Sequence, residues 1–85
     1  MLKPQRIEIA AIRVPVKRAK TLDQDRVAEI AEIAESILEV GLTAPIQVRA
    51  DGPLFVLIEG LHRLEAMKAL GETIIDAYLV QARQH

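Results

Sequence analysis

Residues 58–71 read IEGLHRLEAMKALG, and in this stretch an apolar strand is joined to a helix through one glycine. The run LFVLIEG at residues 54–60 is continuously apolar, which predicts a buried strand. The residues that follow have the apolar spacing of a helix that ends at Gly71. His62 and Arg63 therefore stand where a helix begins, beside unpaired N–H groups and the positive end of the helix dipole.

The first turn of this helix predicts a phosphate site. On a helical wheel, residues 61–70 have one broad apolar face, which consists of Leu64, Ala66, Met67, Ala69 and Leu70. Arg63 falls near the centre of that face and His62 on its flank. Burying a guanidinium is costly unless an anion meets it, and Gly60 would let a ligand approach the backbone closely. The alternative is that Arg63 pairs with Glu59 or Asp76 inside the protein, and the sequence leaves both interpretations open.

A longer helix is predicted over residues 26–40, RVAEIAEIAESILEV, ending at Gly41. Its N-cap is Asp23, or Thr21 with Gln24 in a capping box. The apolar face predicted by helical spacing consists of Val27, Ile30, Ala31, Ala34, Ile37 and Leu38. Acidic side chains occupy much of the opposite face, at Glu29, Glu32, Glu35 and Glu39.

The remaining segments predict a mixed sheet in a single domain spanning residues 1–85. Residues 6–16 predict one strand, followed by a polar loop at residues 17–23. Strands at residues 45–50 and 54–60 pair as a hairpin, and the last strand covers residues 73–82. The order β-α-β-β-α-β gives the α+β class.

Composition narrows the classes of function. The chain holds one Phe, one Tyr and no Trp, so its core is expected to be aliphatic. The net charge of −1 argues against nucleic-acid binding through bulk charge. Residues 1–20 carry six basic side chains and one acidic, a net +5, whereas residues 21–85 carry a net −6. The basic side chains of Lys17, Arg18 and Lys20 are therefore candidates for a local contact with DNA or phosphate.

Several sites and locations are excluded or made improbable. Cysteine is absent, which excludes disulfides and thiolate chemistry, and only two histidines, His62 and His85, are present, far apart for a zinc site. Which residues would hold a metal stays unknown. No apolar run is long enough for a membrane span or a signal peptide. The expected location is the cytoplasm, without a membrane partner.

Three stretches together resemble the ParB/sulfiredoxin superfamily. EGLHRLEAMKALG at residues 59–71 resembles its second box, and IAEIAESILEVGLTAPIQVR at residues 30–49 resembles its first helix and the box that follows. TIIDAYLV at residues 73–80 is similar to the closing strand, so the resemblance spans residues 7–80. It implies a ParB/sulfiredoxin-like fold, a small mixed sheet with two main helices.

The resemblance also implies a nucleotide site. The cofactor would be CTP, as in ParB, or ATP, as in sulfiredoxin and the free serine kinases, with Mg²⁺. By position, Gly60, His62 and Arg63 would contact phosphate. The loop facing the base, ribose or phosphates would consist of Gly41, Leu42, Thr43, Ala44 and Pro45. The box reads Gly-Leu-His-Arg where partition ParB proteins have Gly-Glu-Arg-Arg, so the nucleotide and its hydrolysis stay open.

Three functions follow as hypotheses. The first is a ParB-like nucleotide-binding domain linked to DNA partition, plasmid maintenance or transcription regulation. Because the further ParB domains would need about another hundred residues, DNA contact is expected only through a partner or the basic loop, and a homodimer is a further partner considered. The second is a nucleotide-dependent phosphotransferase or nuclease with Glu59 as catalytic carboxylate. Leu61 replaces the catalytic cysteine, which excludes sulfiredoxin activity. The third is an interaction module without chemistry.

Overall fold

The structure is a computed structural model that describes residues 3–19, 24–41 and 44–81. Within these residues, one five-stranded mixed sheet packs with three α-helices. The strands are β1 (Gln5–Glu8), β2 (Ile12–Arg13), β3 (Ile46–Asp51), β4 (Leu54–Glu59) and β5 (Ile74–Leu79). The helices are α1 (Val16–Ala19), α2 (Gln24–Val40) and α3 (Leu61–Ala69), and a 3-10 turn over Ile9–Ala11 joins β1 to β2. The predicted α+β class is confirmed.

The sheet is strongly curled because its two edge strands are consecutive in sequence. The strand order is β1-β5-β3-β4-β2. Four spacings of a flat sheet would separate the edges by roughly 19 Å, whereas the chain from Glu8 to Ile12 reaches at most about 14 Å. The N–H of Ile9 donates to the carbonyl of Thr73 at 2.8 Å and fixes this crossing beside β5.

This curl makes the prediction of one strand over residues 6–16 wrong. The segment divides into β1 and β2 at opposite edges, because the 3-10 turn carries the chain across the sheet. Part of the predicted polar loop at residues 17–23 is helical, in α1. The predicted caps at Thr21 and Asp23 lie outside the described residues.

Strand pairing places the carboxyl ends of β2 and β4 at the same end of the sheet. β3 and β4 form the predicted antiparallel hairpin, with Asp51 opposite Leu54. β2 runs parallel to β4, and β3 runs parallel to β5. β2 and β4 therefore point the same way, and the segments that follow them, α1 and α3, begin at the same end of the sheet.

The core is aliphatic, as predicted. It lies in the curl of the sheet and is closed by α3, and its fully buried large side chains are Ile46, Val48, Leu57, Leu64 and Ile75. No polar or charged residue is buried among the described residues. None of the helices in these ranges is long and apolar enough to cross a membrane.

The α2 helix has the predicted extent and ends at Gly41, whose φ of 81° and N–H bond to the Ile37 carbonyl at 2.8 Å form the expected C-terminal cap. Its predicted apolar face is partly wrong. Val27 and Leu38 are 62% and 73% exposed, and Ala31 is exposed too. The half-buried stripe instead consists of Ile30, Ile33, Ala34 and Ile37. The apolar arc of α2 is wider than the contact it makes with α3, so part of that arc stays in solvent.

Candidate functional site

The turn between β4 and α3 is fixed by Gly60. This residue caps α3 with φ 105° and ψ 30°, and a Cβ here would lie 2.6 Å from Cγ2 of Ile46. Ile46 is fully buried. A glycine is therefore required by the core itself, whereas the sequence suggested only a ligand's close approach. The amino end of α3 is held rigidly against β3.

The amino end of α3 presents N–H groups without intrahelical acceptors. Gly60 has no side chain to cap them, and the first regular bond of the helix runs from the Leu64 N–H to the Gly60 carbonyl at 2.9 Å. The N–H groups of Leu61, His62 and Arg63 precede that bond. These donors and the helix dipole can bind an anion that reaches this turn.

The predicted inward orientation of Arg63 is wrong, because its side chain is exposed. The helix is rotated so that Leu61 and Leu64 enter the core, and at about 100° per residue Arg63 lies about 100° or more from either of them. Leu61 was missing from the predicted apolar face. Ala69, which was included in it, is exposed.

The alternative interpretation of Arg63 is also wrong. Among the described residues, neither Glu59 nor Asp76 lies within ion-pair distance of the guanidinium, and both carboxylates are exposed. Asp76 stands opposite Arg6 in the β1–β5 pairing, two strands away from β4. The guanidinium is therefore accessible to a ligand from solvent.

His62 faces α2 from the first turn of α3. Its Nδ1 lies 3.8 Å from Oε2 of Glu29, with the two side chains 30% and 50% exposed. Glu29 was not among the predicted site residues, since in the sequence it is one of four similar glutamates on α2. The sequence signal that could have found it is its place beside Ile30 and Ile33, which belong to the stripe that packs α2 onto the domain.

The predicted facing loop is partly described. Leu42 and Thr43 lie outside the described residues. Ala44 and Pro45 are half-buried and lead directly into Ile46, which contacts Gly60. The structure therefore brings Pro45 to the same end of the sheet as the amino end of α3.

The basic segment lies toward the same end. Arg13 pairs with Val56 in the parallel β2–β4 register, and Lys17 and Gly60 each stand four residues further along their segments. Lys17 is exposed. The side chain of Arg18 and all of Lys20 lie outside what the structure describes.

Glu59, the predicted catalytic carboxylate, lies beside the turn that begins α3. Glu59 is exposed at the end of β4, opposite Gln47 and next to Gly60. Over the described ranges, no group of three or more His, Asp or Glu side chains could hold a metal ion.

A cleft of about 520 Å³ opens beside β1 and the start of β5. Its lining consists of Arg6, Ile37, Gly41, Met67, Glu72, Ile74 and Asp76. Of the predicted site residues that the structure describes, Gly41 alone is among them. The cleft therefore differs from the turn at Gly60, and the two can be distinguished by mutating one arginine in each.

The sequence matches a known domain family over nearly its whole length. A profile of the ParB N-terminal domain matches residues 2–85. A probable chromosome-partitioning protein ParB from Campylobacter jejuni is 42% identical over 65 residues, which are 76% of this chain and 22% of that protein. The aligned part of the chain thus spans about a fifth of that relative's length.

Solved structures have the same fold. Sulfiredoxin from Arabidopsis thaliana is 28% identical, with a TM-score of 0.75 over 96% of this chain and 86% of that one. The C-terminally truncated chromosome-partitioning protein ParB from Caulobacter crescentus, complexed with CTP-gamma-S, is 15% identical with a TM-score of 0.79, covering 96% and 46%. A free serine kinase in complex with AMP is 18% identical with a TM-score of 0.67, covering 93% and 30%. With the sequence match, these likenesses mean that the chain belongs to the ParB N-terminal domain family and has the fold of the ParB/sulfiredoxin superfamily.

Proposed function

We propose that this domain binds a nucleoside triphosphate, CTP or ATP, with Mg²⁺, and places its phosphates at the amino end of α3. The observation that carries the proposal is the uncapped amino end of α3 with the exposed Arg63 guanidinium beside it. Solved proteins of the same fold hold CTP-gamma-S and AMP. In the cell such a domain would serve DNA partition, plasmid maintenance or transcription regulation.

Each group at the turn has a distinct role in this proposal. The backbone N–H groups at residues 61–63 donate to one phosphate, because the helix dipole favours negative charge there. Arg63 forms charge-assisted bonds to phosphate oxygens from the solvent side. His62 donates to a phosphate oxygen through the ring nitrogen that does not face Glu29. Lys17 adds positive charge from α1 at the same end of the sheet.

The loop before β3 is proposed to bind the rest of the nucleotide. Ala44 and Pro45 stand close to the turn through Ile46, and Gly41, Leu42 and Thr43 complete the segment. Contacts of Arg18 and Lys20 with DNA or phosphate, and self-association into a homodimer, stay predictions.

A phosphotransferase or nuclease is the second candidate, and the observation that favours it is the exposed Glu59 carboxylate next to the phosphate turn. In this reaction Glu59 would accept the proton of the attacking hydroxyl or water. The test is release of phosphate, or cleavage of DNA, by the wild type and by Glu59→Gln. If both proteins are equally active or equally inactive, Glu59 has no catalytic role.

The nucleotide proposal is tested by calorimetric titration with CTP, ATP and GTP in the presence of Mg²⁺. We expect saturable binding of one of them, and a loss of about 10-fold or more in affinity with Arg63→Ala, because a hydrogen bond to a charged group contributes about 1.5–3 kcal/mol. The matched control is Arg6→Ala, which removes the same charge from an exposed site on β1.

Each result of the titration has a defined meaning. Binding lost in Arg6→Ala but kept in Arg63→Ala would move the site to the cleft and contradict the proposal. Absence of binding with all three nucleotides would favour the interaction module instead. The exposed apolar side chains of Val27, Leu38 and Val40 on α2 would then be the first surface to mutate.

A further inference from the structure

The contact between α2 and α3 extends the candidate site to a residue on another helix. His62 is on α3, and its Nδ1 lies 3.8 Å from Oε2 of Glu29 on α2. With Nδ1 on the Glu29 side, Nε2 is on the opposite side of the ring. From this geometry we infer that Glu29 is a positioning residue, which holds the His62 ring so that its second nitrogen serves the bound phosphate. The inference rests on the proposed nucleotide binding.

The positions of both residues are set by packing. Leu61 and Leu64 are buried on either side of His62 in sequence and fix the rotation of α3. On α2, Ile30 and Ile33 are half-buried, and Glu29 lies at the edge of that stripe. The pair therefore forms without rearranging either helix.

The geometry suits an orienting role better than a purely structural one. A carboxylate that hydrogen-bonds one ring nitrogen of a histidine fixes the orientation and tautomer of the ring. At 3.8 Å the Glu29 carboxylate is within ion-pair range of Nδ1 but beyond hydrogen-bond distance, so the orienting bond needs a small movement of these partly exposed side chains. The pair is half-exposed, so it contributes little to stability. The pair is therefore expected to affect the affinity for the ligand that Nε2 contacts.

The direction in which a charge-removing mutation changes nucleotide affinity distinguishes a positioning role of Glu29 from simple electrostatic repulsion. A bystander carboxylate near a polyanion repels it, so removing the charge with Glu29→Gln would strengthen nucleotide binding. A carboxylate that orients His62 has the opposite effect, and its removal weakens binding. The matched control is Glu35→Gln, which removes the same charge from an exposed position on α2 about 120° around the helix from Glu29.

The experiment measures CTP and ATP affinity by calorimetry, and the His62 ring signals by NMR, on the wild type and the two variants. We expect Glu29→Gln to weaken binding by about three- to fivefold and to shift the His62 ring signals even without nucleotide. We expect Glu35→Gln to do neither. The sequence has two histidines, so the spectrum of His62→Gln assigns the signals.

A double-mutant cycle separates action through His62 from a general effect on the fold. If Glu29 acts through the ring, Glu29→Gln has no further effect on affinity in the His62→Gln background. Unchanged or tighter binding by Glu29→Gln overturns the inference and leaves the proposed function standing. Absence of nucleotide binding by the wild type overturns both.

Discussion

Replacing Gly60 by alanine tests whether the core dictates the turn that begins α3. Two costs add at this position. A non-glycine residue at φ 105° is strained by about 1–3 kcal/mol. The new Cβ would also meet Cγ2 of the fully buried Ile46 at 2.6 Å, and overpacking of this kind costs about 1–3 kcal/mol. The expected loss is therefore about 2–6 kcal/mol.

Gly71→Ala is the matched control for this mutation. Gly71 also has a positive φ, 79°, but a Cβ there meets no atom within 4 Å. Gly71→Ala is therefore destabilised only by backbone strain, and the difference in free energy of unfolding between the two variants isolates the contact with Ile46. We expect that difference to be about 1–3 kcal/mol in the free energy of unfolding.

The assay is urea unfolding of the wild type and both variants, with melting temperatures as a second measure. The whole stability of an 85-residue domain is about 4–13 kcal/mol, so Gly60→Ala would leave the domain marginal. Ile46→Ala removes the clashing carbon, and the double variant should be less destabilised than the sum of the single ones by about 1–3 kcal/mol. Equal losses in Gly60→Ala and Gly71→Ala, or simple additivity in the cycle, would show that the contact with Ile46 does not constrain position 60.

Two further predictions concern surfaces away from the turn. Leu38→Lys should change the free energy of unfolding by less than about 0.5 kcal/mol because Leu38 is 73% exposed, whereas Ile37→Lys, at a residue packed against the core, should lower it by about 1–3 kcal/mol. Equal losses of the two variants in urea unfolding would contradict the observed packing of α2 through Ile37. The ion pair between Arg13 and Asp51, at 2.7 Å with both side chains about half-exposed, should contribute at most about 1 kcal/mol in a double-mutant cycle and less in high salt; a coupling that is large and independent of salt would be inconsistent with this exposure.

The two long helices, α2 and α3, were predictable from sequence because their ends are marked locally, whereas the short α1 was not. Glycines follow α2 and precede and follow α3, and α2 has a clear 3.6-residue period. The hairpin was predictable for the same reason, since Gly52 and Pro53 form its turn. The curl was not predictable, because it depends on which strands become neighbours. Residues 6–16 have the composition of one strand, and only the pairing with β5 and β4 divides them.

The composition of the candidate site could be predicted from the sequence, but its geometry could not. The stretch at residues 60–63 contains the turn, yet a wheel drawn over α3 averages the helix and ignores where its first turn meets the core. Leu61 is buried and Arg63 is not, because the position of Gly60 against Ile46 sets the rotation. Glu29 was missed for a related reason. Its proximity to His62 depends on how α2 crosses α3, which one sequence does not encode locally.

Because Arg63 is exposed, the case for a phosphate site at the turn rests on the free N–H groups of α3 and an accessible guanidinium, not on a buried charge. A buried guanidinium would need an anion, which would make Arg63 essential to the fold as well as to binding. In the structure the core depends on Gly60 and Ile46, while Arg63 stands in solvent. Mutating Arg63 should therefore separate ligand binding from stability, whereas mutating Gly60 cannot. If Arg63→Ala lowered the melting temperature as much as Gly60→Ala, the assignment of Gly60 to the fold and of Arg63 to ligand binding would be wrong.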